Sequence, residues 1–380
     1  MPRVLIVDDE PMLLRTLSRI VEKSGYEVAQ ADSPSAARDV ISTEHIDIAL
    51  VDYNYHGTPA GLDVLRGLRQ AQPGCVRILM SGCLDAPIVI QALNTGAVHQ
   101  VLQKPLSGKD LRSALDACSV LQQRLQIDLL HLQEQERSRE RGLLNRLLSG
   151  DYIDLALQPI LSTSDQRLIA HEVLLRSSMP ELPGPMQVIT AAERCNMLLD
   201  ISGAVASRAA ALMPRLPDET MLFVNLHPEE FNAGDKLIET LAPLQPWARR
   251  IVLEVTEHSK VHAVWIDTVN ALRARGYSIA VDDLGSGYNS LNTLATLQPD
   301  YIKVDMSIIR DIDSDPYKQR LMALLAQLAE GTNATLLAEG VETEAEAEVL
   351  VKLGAHLVQG YLFGRPTINP DFGQRARRTA

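Results

Sequence analysis

The sequence predicts an α/β chain in two parts, an N-terminal doubly wound five-stranded parallel sheet and a C-terminal TIM-like (β/α)8 barrel, joined by a helical linker. Three observations carry this expectation. Short β-branched apolar runs alternate with helical periods over 3–105, the same alternation resumes beyond Gly150 and lasts to the end, and the stretch between them is Pro-free and helical in period. A length of 380 residues suits two cores. The expected boundaries are 1–120, a linker at 121–149, and 150–380.

Taken in order, strands are expected at 4–7, 27–29, 48–51, 77–80 and 100–102, with amphipathic helices near 11–23, 34–43, 61–70 and 86–95. In such a sheet the functional groups gather at the carboxyl ends of the strands. From 107 to about 148 the pattern is one helix. Leu111, Leu115, Cys118, Leu125, Leu129 and Leu132 recur at spacings of three, four and seven, with polar Gln122 in one slot. Imperfect heptads of this kind point to pairing with a second copy, the alternative being a lone solvated helix. Beyond Gly150, apolar runs at 155–160, 168–175, 221–226, 251–255, 278–282, 301–304, 335–338 and 356–358 supply eight strands. Helical patterns at 264–275, 318–329 and 344–353 lie among them.

Composition narrows the function. The formal charge of −12 argues against gripping duplex nucleic acid through its phosphates, and residues 151–380 hold 20 basic against 30 acidic side chains. The longest apolar stretches fall short of a membrane span and the first residues lack a signal-peptide pattern, so a soluble, cytoplasmic protein without membrane insertion is expected. Four cysteines without C-x-x-C spacing suit reduced thiols.

The first constellation is acidic. Val7-Asp8-Asp9 closes the first strand, Val51-Asp52 the third, Met80-Ser81 the fourth and Gln103-Lys104-Pro105 the fifth. Three carboxylates meeting in one crevice repel unless a hard divalent cation neutralises them, and Mg²⁺ takes carboxylate oxygen readily. Asp52 could then attack a phosphoryl donor, with Lys104 and the Ser81 hydroxyl binding the added oxygens. The arrangement resembles the response-regulator receiver family over residues 1–120. The resemblance implies one Mg²⁺ held by Asp8, Asp9 and Asp52, phosphorylation of Asp52 by a cognate sensor histidine kinase, and Ser81 and Lys104 as switch residues. Two features depart from it: Val101 stands where an aromatic switch residue is usual, and Tyr53-Asn54-Tyr55-His56-Gly57 replaces a Met-Pro turn.

The second constellation belongs to the barrel. Glu172, Asn225, Glu254, Asp282, Asp283, Lys303, Glu339 and Gln359 each end or interrupt an apolar run, and such ends converge on one face of a barrel. Five carboxylates and an amide oxygen around one cavity call for divalent metals. All-oxygen ligation favours Mg²⁺ or Mn²⁺, and two ions would suit in-line phosphodiester hydrolysis. Lys303, between Ile302 and Val304, could orient the attacking hydroxide.

Gln158-Pro159-Ile160, Glu172-Val173-Leu174 with Arg176, Phe223-Val224-Asn225-Leu226, Leu253-Glu254-Val255-Thr256-Glu257, Asp282-Asp283-Leu284-Gly285-Ser286-Gly287-Tyr288, Ile302-Lys303-Val304-Asp305, Ala338-Glu339-Gly340-Val341-Glu342-Thr343 and Gln359-Gly360-Tyr361 are similar to the motifs of EAL-domain cyclic di-GMP phosphodiesterases, in the family's order over 150–370. The resemblance implies two Mg²⁺ or Mn²⁺ ions held by Glu172, Asn225, Glu254, Asp282, Asp283 and Glu339. It implies that Lys303 assists the water, that Glu339 and Glu172 also serve catalysis, and that Gln158, Leu174, Arg176, Asp305, Glu342 and Gln359 contact substrate or support those that do. Glu257 is implied to anchor the loop 283–290. Val173, Ser177, Leu284 and Asn289 depart from the family's usual residues without removing a ligand.

The function expected is hydrolysis of cyclic di-GMP to 5′-pGpG, regulated by phosphorylation, in a homo-oligomer. Two other readings stay open: a barrel that binds cyclic di-GMP and signals through protein contacts, and a regulator that sequesters a kinase. Weaker signals carry no function. His258 and His262 lack the glutamate of a zinc-protease motif, Ser107-Gly108-Lys109 lacks the upstream glycine of a phosphate loop, and the aromatic residues form no stacking platform.

Overall fold

The computed structural model describes residues 1–82, 97–256, 263–285, 290–368 and 370 of the chain. The helix expected at 86–95, Cys83, His258 and His262 lie outside them. Two compact units result, Met1–Glu136 and Arg137–Ala380. Among the described residues no helix is long and apolar enough to cross a membrane.

The N-terminal unit is a parallel sheet of β1 (Arg3–Val7), β2 (Glu27–Ala31), β3 (Ile48–Asp52), β4 (Val76–Ser81) and β5 (Gln100–Gln103), in the order β2-β1-β3-β4-β5. Both faces of the sheet are covered, so its central strands are buried end to end. Period-2 alternation divides their side chains between two cores. Leu5 and Val7 pack with Ala37, Val64, Leu65 and Leu68 from the helices Pro34–Thr43 and Gly61–Ala71. Val4 and Ile6 pack with Leu14, Leu17 and Val21 from the helix Pro11–Lys23, and with Leu111, Leu115 and Cys118.

Those last three residues open the long helix Gly108–Ser149. Most of the leucine stripe expected to pair with a second copy is thus used within the unit, since Leu121 and Leu125 also pack on this core. Gln122 is likewise no coiled-coil register residue here: it is buried, and its Nε2 donates to Asp47 Oδ1 at 3.0 Å. Asp47 Oδ2 in turn accepts the Arg3 N–H, tying the helix to the foot of the sheet. Val120, Ile127, Leu130 and Leu132 are left exposed. At the helix's far end Leu144 and Leu147 are fully buried against Val188, Ala191 and Ile201 of the C-terminal unit.

The C-terminal unit closes eight strands into a barrel: β6 (Ile153–Ser162), β7 (Leu168–Ser177), β8 (Met221–Asn225), β9 (Ile251–Thr256), β10 (Ser278–Leu284), β11 (Tyr301–Val304), β12 (Thr335–Ala338) and β13 (Leu357–Val358). A short β14 (Thr367–Ile368) pairs with β6 outside the ring. One strand departs from the all-parallel ideal. β6 runs antiparallel to both neighbours, β7 and β13. The reason is local: 163–167 is too short for a parallel crossover, which needs a dozen or more residues, and instead turns β6 back as a hairpin.

Candidate active site

Counting by twos along the strands builds the site. One side chain per strand fills the lower barrel interior: Ile160, Ala170, Phe223, Val252, Ala280, Leu337 and Leu357, with Tyr301 packed among them. Phe223 and Tyr301 meet edge to face at 5.0 Å. In a strand the next residue on the same face lies two positions on. Two residues beyond each parallel-strand member stand Glu172, Asn225, Glu254, Asp282, Lys303, Glu339 and Gln359. In β6, which runs the other way, the equivalent is two residues back, at Gln158. An apolar floor therefore carries a polar layer drawn from all eight strands.

Asp283 has the wrong parity for that layer. It joins through a register shift in the β10–β11 pairing between Val281 and Leu284, with Asp283 in the left-handed region at φ 60°. Its N–H donates to Asp282 Oδ1 at 2.9 Å, and the carboxylate oxygens of Asp282, Asp283 and Glu339 come within 4.8 Å of one another.

Lys303 is the centre of charge. Its ammonium is fully buried, 2.6 Å from Glu254, 2.8 Å from Glu339, 3.0 Å from Asp282 and 3.8 Å from Glu172. Burial alone would strip its proton, but the surrounding carboxylates outweigh burial and hold it well above the ordinary lysine range. Burial pushes Glu254 and Glu339 well above the ordinary carboxylate range, with Lys303 opposing. Glu172 is aimed by amides: Gln359 Nε2 donates to its Oε2 at 2.6 Å and Asn225 Nδ2 to its Oε1 at 3.2 Å. Gln359 also donates to Gln158 Oε1 at 3.1 Å.

These residues fit divalent cations. The donors are all oxygen, three carboxylates converge within reach of one ion, and Glu254 Oε2, buried, accepts no hydrogen bond among the described residues. The Glu172 and Asp282 carboxylates add to the burial that raises Glu254 and Glu339, so one ammonium leaves the site short of positive charge.

A cavity of about 320 Å³ opens over this layer, lined by Gln158, Glu172, Asp282, Lys303, Glu339 and Gln359 of the layer together with Asp283, Asp305 and Glu342. Asp305 caps the short helix Met306–Ile309 by accepting the Ser307 N–H at 2.9 Å. Leu174 and Arg176 follow Glu172 on the same face of β7 but are not part of this lining, and Arg176 Nη1 donates to Leu175 O. Glu257 lies outside the described residues, as do residues 286–289 of the loop it is expected to anchor. Met306, Gly340, Gly360 and Tyr361 also line the cavity and were not assigned roles from sequence. Gly340 sits there at φ 71°, where a Cβ would fall 2.5 Å from Met306 Cβ. The Tyr361 ring is backed by the Arg365 guanidinium at 4.1 Å.

The N-terminal unit assembles a second acidic site at the ends of β1 and β3. Asp8, Asp9 and Asp52 bring carboxylate oxygens within 4.8 Å of one another. Lys104 Nζ lies 2.7 Å from both Asp8 Oδ2 and Asp52 Oδ1. Burial raises the Asp52 pKa against the opposing pull of Lys104. Asp9 is held by the His56 N–H at 2.9 Å. Ser81 is buried at the end of β4, and its carbonyl accepts the Lys104 N–H at 2.8 Å. Val101, on β5, packs on the sheet's core. This site too is all oxygen and fits a single hard cation.

Residues 141–366 match the EAL domain family and residues 4–116 the response regulator receiver domain. The probable cyclic di-GMP phosphodiesterase PdeD of Escherichia coli K12 is 30% identical over 238 residues, 60% of this chain and 44% of PdeD. The chain therefore spans less than half the length of that relative. The cyclic di-GMP phosphodiesterase RocR of Pseudomonas aeruginosa is 28% identical over 394 residues, covering 97% of both chains. Among solved structures, the manganese and cyclic di-GMP complex of Klebsiella pneumoniae BlrP1 aligns with a TM-score of 0.52 and 31% identity, over 59% of this chain and 58% of BlrP1. With the barrel, its polar layer and these matches together, the chain belongs to the EAL domain family, and carries its EAL barrel behind a response regulator receiver domain.

Proposed function

We propose that this chain hydrolyses cyclic di-GMP to linear 5′-pGpG at the barrel mouth, under control of phosphorylation at Asp52. The observation that carries the reading is the ring of Glu172, Asn225, Glu254, Asp282, Asp283 and Glu339 around a fully buried Lys303. Two Mg²⁺ or Mn²⁺ ions held by those six residues would supply a hydroxide at neutral pH and neutralise the phosphate and the leaving oxygen. Lys303 Nζ, already turned toward Glu254, Glu339 and Asp282, donates to the attacking water and orients it. Glu339 accepts a proton from that water. The water oxygen bonds to phosphorus, the bond to the 3′ oxygen breaks, that oxygen takes a proton from solvent and leaves as a hydroxyl, and the 5′ phosphate stays with the product. Gln359 holds Glu172 in place. Gln158 in the polar layer and Asp305 and Glu342 above it meet the dinucleotide, and Leu174 and Arg176 extend that surface along β7. Arginine suits a phosphate because its fork donates two parallel bonds. Glu257 anchors the loop 283–290.

In the receiver, Asp52 takes the phosphoryl group from a sensor histidine kinase, and Asp8, Asp9 and Asp52 are the residues that would hold Mg²⁺ to offset its charge. Ser81 and Lys104 bind the added oxygens, which draws Lys104 from its pairing with Asp8. The helix Gly108–Ser149 serves as linker, and a cytoplasmic homo-oligomer is the working form.

One experiment decides the reading. Purified chain is assayed for 5′-pGpG with Mg²⁺ or Mn²⁺, with Glu172→Ala as control, and with and without acetyl phosphate in wild type and Asp52→Ala. Product from wild type alone of the first pair, and a rate that the donor changes only while Asp52 is present, is the expected result. Binding without product would leave a cyclic di-GMP-binding effector in its place. Indistinguishable rates with and without the donor would remove the regulatory half.

A further inference from the structure

Arg310 follows the short helix beyond β11, and Glu342 stands in the loop beyond β12. The guanidinium donates Nη1–H to Glu342 Oε2 and Nη2–H to Glu342 Oε1, each at 2.8 Å. That two-pronged geometry is one arginine can make and lysine cannot. A second carboxylate binds the same two loops together. Glu346, 2% exposed, accepts the Asp311 N–H through Oε1 at 3.0 Å, and the Glu342 and Thr343 N–H groups through Oε2 at 2.9 and 3.0 Å. Asp311 takes a left-handed φ of 58°, so the chain turns immediately after Arg310 and the guanidinium is presented to the neighbouring loop. Neither Arg310 nor Glu346 lines the cavity, whereas Glu342 does.

A carboxylate at the rim repels phosphate, so the part of a nucleotide it can hold is an edge of N–H donors. Guanine has such an edge, with N1–H beside the N2 amino group. Each oxygen of an ionised carboxylate has two lone pairs. The Arg310 fork uses one on each and leaves one on each for a ligand. We propose that Arg310 is a positioning residue: braced by Glu346, it sets the Glu342 carboxylate to receive the guanine edge of the dinucleotide. This rests on the functional reading above and deepens it, assigning base recognition to the junction of the β11 and β12 loops and away from the metal ligands.

The test separates binding from chemistry. The Kd of a hydrolysis-resistant phosphorothioate analogue of cyclic di-GMP is measured by calorimetry, beside KM and kcat for cyclic di-GMP, in wild type, Arg310→Ala, Arg310→Lys, Glu342→Ala and the Arg310→Ala/Glu342→Ala pair. Arg310→Ala is expected to raise Kd and KM about fivefold with kcat changed less than about twofold, and Arg310→Lys to fall between it and wild type. Added to Glu342→Ala, it raises Kd no further, because it acts through that carboxylate. An unchanged Kd in Arg310→Ala, full additivity in the pair, or a fall in kcat at constant KM overturns the proposal. Should Arg310→Ala fail to fold by circular dichroism, an unchanged Kd in folded Arg310→Lys does so. If wild type binds the analogue but forms no linear product, the functional reading fails while the Kd comparison still decides this one. Absence of binding by wild type overturns both.

Discussion

Lys303 shows how one buried residue can be held in place by charge alone. Its ammonium is the counter-charge for Glu254, Glu339 and Asp282. Removing one partner of such a buried group leaves the others uncompensated, at a cost of about 3–5 kcal/mol. Lys303→Met, which keeps the length of the side chain, is therefore expected to destabilise the metal-free barrel by that order and to be raised more by Mn²⁺ than wild type in thermal melts. Equal Mn²⁺ shifts in the two proteins would contradict it. Glu230 gives a second test at this scale. Buried after β8, with Oε2 accepting the His227 N–H at 2.7 Å, its carboxyl is pushed by burial from 4.5 to about 7. Between those values the folded chain keeps a proton that the unfolded chain has released. Stability from this group is thus full below pH 4.5, falls as pH rises, and is lost by pH 7. Glu230→Gln does not titrate, so its stability relative to wild type should rise between pH 4.5 and pH 8, by on the order of 3 kcal/mol. A pH-independent difference would show the carboxyl to be ordinary.

The long helix is the element whose sequence pattern and structural use part company. Leucines at heptad-like spacing point to a partner helix, yet Leu111, Leu115 and Cys118 face the receiver sheet and Gln122 bonds to Asp47. Period alone cannot tell a partner helix from a sheet, since either one buries a stripe. Leu115→Ala is expected to cost the receiver about 2–5 kcal/mol in urea unfolding. Ile127→Ala, on the exposed side, should cost under about 0.5 kcal/mol in dilute protein. A second copy, if it pairs along this helix, has Val120, Ile127 and Leu130 to use, and Ile127→Ala would then become costlier as concentration rises. β6 is a second such element: its apolar run predicts a strand, and only the five-residue turn at 163–167 sets its direction.

At the scale of the molecule the two units have separate hydrophobic cores. Calorimetric unfolding should accordingly resolve two transitions, with Leu115→Ala lowering one and Lys303→Met the other; a single transition moved by both would show the units to unfold as one. The strands, the apolar floor and most of the polar layer were legible in the sequence, because β-branched runs and period-2 alternation are local properties. A charged residue that interrupts such a run marks the barrel mouth wherever the strand sits. Glu346 also left a local mark, the Thr343-x-x-Glu346 capping box, although its second use as a brace for Asp311 did not. Asp283 is named with the ligands because it follows the apolar run of β10, although strict alternation turns it away from the mouth and only the register shift beside β11 turns it back. Arg310 and Glu342 are 32 residues apart and carry no shared pattern. What the sequence determined by itself is therefore whatever follows from spacing along one strand or helix. The reversal of β6, the recruitment of Asp283, the use of the leucine stripe and the Arg310 fork were decided only by tertiary structure, because each depends on which surface a second, distant segment brings to meet it.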